Sequence, residues 1–209
     1  TKEEGLLERL QKCNANLETV QKGLNDYLET KRLAFPRFFF LSNDNLLEIL
    51  SETKDPTRVN PHMKKAFEGI QSLEFQPDQK ITALVSSEKE KVPLVNPVDP
   101  AAARGSVELW LVEVEAAMLE TIRHVSLASA EDYKVRGRFT DWLKQWPGQV
   151  VIAIFSLYWT MEVGMGLRTS GLEGIIRYCD KLKVMLSDII DLVRSDIEPL
   201  TRCTLEALI

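Results

Sequence analysis

The sequence predicts a mainly α-helical fold, an elongated helical bundle or rod, with one small β-hairpin at about residues 80–96. Three observations carry that reading. Apolar residues recur at spacings of three and four along most of the chain, which gives one-faced helices. A single short region, Ile81 to Val95, has the side-to-side alternation and β-branched content of strands. Between the first helix and the next, Phe35-Pro36-Arg37-Phe38-Phe39-Phe40 sets four phenylalanines around a proline, and a solvated helix cannot continue through it.

Leu6, Leu10, Cys13, Leu17, Val20, Leu24 and Tyr27 form a narrow stripe down a helix from about Lys2 to Arg32. Such a helix suits a coiled-coil strand, or better, a long element docked along a bundle. Pro36 lacks the amide hydrogen a helix interior uses and biases Phe35 towards extended geometry. The phenylalanines are therefore expected to be buried, in a junction where the chain enters a core. Ser42 is a suitable N-cap for the helix carrying Leu46, Leu47, Ile49 and Leu50. Asp55-Pro56 ends that helix. Asn60 is expected to cap a short helix with Pro61 at its first position, closed by Gly69.

The hairpin pairs Ile81–Val85 with Val92–Val95 across the polar tip Ser86 to Lys91. Pro93, Pro97 and Pro100 are expected to end its second strand. Glu88-Lys89-Glu90-Lys91 reads as a solvated tip, with a contact to a neighbouring domain as the minor alternative. From Ser106 the helical period returns, through Leu109, Leu111, Val114, Met118 and Ile122. A shorter helix follows from Glu131 to Gln145, stopped by Trp146-Pro147-Gly148. Val150 to about Gly166 reads as a buried apolar helix, because the run Val150–Met161 is too short to span a bilayer. Leu172 to Arg194 and Ile197 to Ile209 complete the set. The expected division is 1–105, with the long first helix, the aromatic junction and the hairpin, and 106–209, a C-terminal helical bundle.

The 209 residues carry a formal charge of −5, with 44% apolar and 27% charged side chains. That acidity, and the lack of a dense Lys/Arg cluster, argue against nucleic acid; no membrane partner is expected either. Cys13, Cys179 and Cys203 lie far apart and suit a reducing compartment, each as a small, partly buried apolar residue. The pattern at Thr1 and the apolar run at Ile209 lead to the expectation of a longer polypeptide. No phosphate loop occurs, and Gly164-Met165-Gly166 lacks the strand and lysine one requires. His62 and His124 stand apart, read as surface or half-buried residues, and no metal-ligand cluster is expected. No Ser-His-Asp arrangement can be paired, so catalytic and cofactor-binding residues are expected to be none. The tryptophans Trp110, Trp142, Trp146 and Trp159 read as core anchors. The residues singled out are structural: Phe35, Pro36, Phe38, Phe39 and Phe40 at the first junction, with Trp146, Pro147 and Trp159 later in the chain.

The aromatic segment running into Ser42-Asn43-Asp44 resembles the linker of dynein heavy chains. So do Thr53-Lys54-Asp55-Pro56, Pro61-His62, Phe67-Glu68-Gly69-Ile70, Val92-Pro93-Leu94 with Asn96-Pro97-Val98, Trp146-Pro147-Gly148-Gln149-Val150-Val151, Tyr158-Trp159-Thr160 and the closing Leu205-Glu206-Ala207-Leu208-Ile209. The likeness covers essentially the whole chain and is nearer the axonemal (ciliary) dyneins than the cytoplasmic one. It implies the C-terminal part of the linker, immediately before the first AAA+ module, acting as a lever that bends and straightens across the ring. It implies ATP and magnesium in the AAA+ ring of the parent chain and none in this segment, which is then not itself an enzyme. Its partner is the ring of the same chain; microtubules and other dynein subunits are reached only through the parent, in the cytoplasm, the cytoskeleton and the cilium axoneme. Arg136-Gly137-Arg138 and Gly164 to Gly166 match no part of that likeness. A helical scaffold or adaptor binding a partner helix is the alternative.

Overall fold

A computed structural model describes residues 5–51 and 55–208. Lys2 as a helix start, Thr53, Lys54 and Ile209 lie outside the described residues. The chain is mainly helical with a small sheet. Its elements are α1 (Leu6–Ala34), α2 (Asn43–Ser51), α3 (Asn60–Ala66), β1 (Ser72–Phe75), β2 (Ile81–Val85), β3 (Lys91–Val98), α4 (Val107–Val135), α5 (Phe139–Leu143), α6 (Gly148–Ser170), α7 (Leu172–Arg194) and α8 (Pro199–Leu208). The strands form one sheet in the order β1-β2-β3. Two compact units result, one from residues 1–87 and 97–116, the other from 88–96 and 117–209.

In the first unit, α1 is a 29-residue helix as the stripe predicts, roughly 44 Å long at 1.5 Å per residue. Its docking is not as expected. Leu10, Leu17, Val20, Leu24 and Tyr27 are exposed, and Leu28 is its one fully buried residue. Among the described residues nothing covers the stripe. Ser42 Oγ accepts from the Asn45 N–H at 3.3 Å, capping α2 as expected.

Asn60 does not cap α3. It already has helical geometry, and its side chain reaches β1, accepting from the Leu73 N–H at 2.8 Å and donating to the Leu73 carbonyl. Two hydrogen bonds to a strand backbone are worth more here than one to a helix end that already follows a 3₁₀ turn. Asp55 caps that turn, Pro56–Val59, through the Thr57 N–H. The helix also ends earlier than Gly69, at Ala66.

β1 has no counterpart in the predicted hairpin. It pairs antiparallel with β2, Leu73 opposite Leu84 and Ser72 opposite Val85, with a register irregularity at Glu74/Phe75. β3 runs through Pro93 and Pro97 to Val98 rather than stopping there. At the sheet edge a missing N–H costs no ladder bond.

In the second unit, α4 continues unbroken past Glu131 to Val135, and the break comes at Arg136-Gly137-Arg138. The core gathers Trp142, Leu143, Val150, Val151, Ile154, Ile189, Leu192 and Leu205. α6 packs on both α7 and α8. It is 23 residues long and, by length and composition only, sufficient to cross a membrane. It is not the buried helix expected: only Val150, Val151 and Ile154 are enclosed, while Leu157, Trp159, Met161, Met165 and Leu167 are exposed. Gly171, in the positive-φ region at 57°, separates it from α7. There glycine spares the strain a Cβ would add.

All three cysteines are exposed, not partly buried. Cys13 shares the uncovered face of α1, and that explains it. His62, by contrast, is buried at 6% exposure, with Nε2 3.3 Å from Glu48 Oε2.

Candidate functional site

The aromatic junction is built by a 3₁₀ turn, Pro36–Phe40, not by an extended strand. Phe35 is the extended residue before it, as a residue preceding proline should be. Phe38 N–H donates to the Phe35 carbonyl at 3.0 Å and Leu41 N–H to that of Phe38 at 3.1 Å. With three residues per turn, positions 35, 38 and 41 share a face. Phe35 and Phe38 are fully buried and Leu41 nearly so. Phe39 at 55% and Phe40 at 70% exposure point outward, correcting the expectation that all four rings are buried. Pro36 is likewise exposed. The Phe35 and Phe38 rings meet edge to face at 5.0 Å, and Phe67 adds a third ring 6.1 Å from Phe35.

Basic residues interleave with these rings and tie the junction to the elements around it. Arg37 lays its guanidinium 4.5 Å from the Phe67 ring centre, donates from Nε to Glu115 Oε1 at 2.8 Å, and reaches the Ala66 carbonyl at 3.2 Å. Arg32 donates to the Leu41 carbonyl and to Asn43 Oδ1 at 2.8 Å. Lys31 pairs with Glu108, whose carboxylate is buried. Glu108 and Glu115 stand seven residues apart on α4, two turns along one face. The first turns of α4 are thus fastened at two points, once to the end of α1 through Lys31 and once to the 3₁₀ turn through Arg37, with the aromatic knot beside them. None of these partners could be paired from sequence, where they lie 77 and 78 positions apart.

The later junction residues sit in the second unit. Trp146 is half-buried and donates from its indole to Asp132 Oδ2 at 2.8 Å; Arg136 holds the same carboxylate. The Trp146 hydrogen bond, and then Arg136, keep Asp132 below the usual carboxylate range. Pro147 is half-buried and precedes α6. Gly148, the first α6 residue, donates its N–H to Glu90 Oε1 at 2.8 Å. Glu90 therefore leaves the solvated tip and supplies an anion at a helix N-terminus, where the dipole favours one. Trp142, 1% exposed, donates to the Ser129 carbonyl at 3.0 Å. Trp110 is also buried, but Trp159 is 48% exposed and anchors no core.

Around Trp142 lies an aromatic stack: Tyr133 faces Tyr158 at 4.5 Å and meets Trp142 edge-on at 5.0 Å. Burial, and then the Glu162 charge, push the Tyr133 phenol up. The same two causes push Tyr178 up to about 12. Both phenols thus stay neutral throughout the physiological range. Among the described residues no group of three or more His, Cys, Asp or Glu is placed to hold a metal ion. What the geometry offers is attachment: long helices fixed to neighbours by paired charges and stacked rings.

Comparison with known proteins points to one family. The family described as dynein heavy chain, N-terminal region 2, matches residues 1–130. Dynein axonemal heavy chain 12 of Mus musculus is 53% identical over 205 residues, 98% of this chain and 7% of that protein. Dynein axonemal heavy chain 3 of Homo sapiens is 51% identical over 97% of this chain and 5% of its own length. Dynein axonemal heavy chain 1 of Rattus norvegicus is 46% identical over 98% and 4%. The chain therefore spans less than a tenth of the length of each.

Proposed function

The chain belongs to the dynein heavy chain family, and on that footing we propose that it is a mechanical linker segment, a lever that bends and straightens across the AAA+ ring of its parent. The observation that carries this reading is a double fastening to α4, of α1 through Lys31 to Glu108 and of the 3₁₀ turn behind it through Arg37 to Glu115, beside the buried Phe35–Phe38 knot. Force entering along α1 passes into α4 through the Lys31–Glu108 pair and, by way of the 3₁₀ turn, through Arg37–Glu115. Under this reading ATP hydrolysis, with its magnesium, belongs to the ring of the parent chain, and this segment performs no chemistry. Microtubules and other dynein subunits are met only through the parent motor. The axonemal names of the relatives support a place in the cytoskeleton of the cilium.

The test is a parent motor carrying Val20→Pro. Val20 is 66% exposed, so the substitution opens no cavity, yet proline removes a helix hydrogen bond and clashes with the preceding turn. ATP hydrolysis persists while microtubule gliding slows or stops. Normal gliding by a folded variant would refute the lever. A second reading, a scaffold that binds a partner helix, is favoured by the uncovered α1 stripe. It predicts that Leu17→Asp abolishes partner capture by the 209-residue chain.

A further inference from the structure

The motif Arg136-Gly137-Arg138 opens onto a cleft of about 410 Å³ in the second unit. That volume is within the range of sites that take up small ligands or single anchoring side chains, about 300–1,000 Å³. Tyr133, Phe139 and Trp142 line it with rings, and Arg136, Arg138 and Lys181 bring positive charge. Two of those cations are already engaged. Arg136 is held by Asp132, and Lys181 by Glu162 at 2.6 Å. The Arg138 side chain has no hydrogen-bond or ion-pair partner among the described residues. Asp188 also lines the cleft.

We propose that this cleft receives a partner peptide: an apolar side chain on the aromatic lining, with one neighbouring carboxylate taken by Arg138. The charge pattern selects that class. A single free guanidinium complements a single carboxylate and can hold it in bidentate fashion. A polyphosphate would bring several negative charges against one available cation. An uncharged apolar ligand would leave Arg138 unused. Aromatic and arginine side chains are also the groups that dominate peptide contacts. This inference stands apart from the lever reading and survives its failure.

The test uses the 209-residue chain and two probes, acetyl-Ala-Phe-Glu-Ala-amide and the same peptide with Gln in place of Glu. The Trp142 indole N–H, fixed by its bond to the Ser129 carbonyl, is the NMR reporter. The Glu peptide shifts it saturably and binds roughly fivefold or more tighter than the Gln peptide, with an advantage that fades in high salt. Arg138→Gln, at an exposed position, removes that difference and leaves the unfolding curve unchanged. Equal affinity for the two peptides, an Arg138→Gln chain that still prefers Glu, or no saturable shift would each overturn the proposal. So would ATP shifting the same indole at lower concentration than the Glu peptide.

Discussion

Gly174 of α7 faces Gly166 of α6 so closely that a Cβ built on Gly174 would lie 2.3 Å from the Gly166 carbonyl oxygen. The obstacle is backbone on the opposite helix, which cannot swing aside as a side chain does. The α6–α7 pair is therefore closed on two missing side chains.

Gly174→Ala is expected to destabilise the chain by about 1–3 kcal/mol or more, the cost of overpacking. Gly164→Ala, where a Cβ meets nothing within 4 Å, should instead stabilise by up to about 1 kcal/mol through helix propensity. Urea unfolding of the two variants should move the midpoint in opposite directions. Equal shifts would mean that the close approach is not maintained in solution.

Phe38→Ala should cost about 3–5 kcal/mol, because a fully buried ring leaves a cavity. Phe40→Ala, at 70% exposure, should cost under about 0.5 kcal/mol. Thermal unfolding separates the two, and a large loss at Phe40 would contradict the three-residue period of the turn.

Lys31→Met strands the buried Glu108 carboxylate, whose Oε2 already lacks a hydrogen-bond partner. Removing one partner of such a pair is expected to cost about 3–5 kcal/mol. The double variant Lys31→Met with Glu108→Leu should recover much of that loss, since no charge remains buried. A double-mutant cycle reads the difference, and additive losses would show that the pair does not interact.

Asp132 should titrate below the ordinary carboxylate range, and Trp146→Phe, which removes the largest cause, should move it upward. The sign follows from linkage: the lowered carboxyl contributes stability above the unfolded value near pH ~4, and that contribution is lost as pH falls through the folded value. Carbon-detected NMR titration of Asp132 in the two proteins checks it. An unmoved Asp132 in Trp146→Phe would dismiss the indole as the cause.

Periodicity made the helices legible: the reach of α1 and the limits of α7 follow from apolar spacing and from the Gly171 break. It could not say which faces are covered. The stripe from Leu10 to Tyr27 looks the same whether another helix lies on it or water does. The apolar run of α6 likewise concealed that its second half is exposed. β1 escaped notice because Leu73 and Phe75 make too short an alternation to stand out without β2 beside them. At the junction, proline forecast the end of the helix but not the 3₁₀ turn that follows it, and the period of that turn decides which phenylalanines go inside. The partners Glu108, Glu115 and Glu90 are ordinary acidic residues until the fold brings them to a lysine, an arginine and a helix end.

The 3₁₀ turn makes the junction sensitive to chain length more than to composition. Its inward positions, 35, 38 and 41, are spaced by one turn of three residues. A single residue inserted after Pro36 would rotate everything behind it by about 120°. Phe35 would stay in place, but Arg37 would arrive where Phe38 packs and Phe40 where Leu41 packs. A cationic side chain would then enter the aromatic knot without Glu115. An exchange of one hydrophobic residue for another leaves the count intact, so insertions and deletions are the changes this segment is least able to absorb.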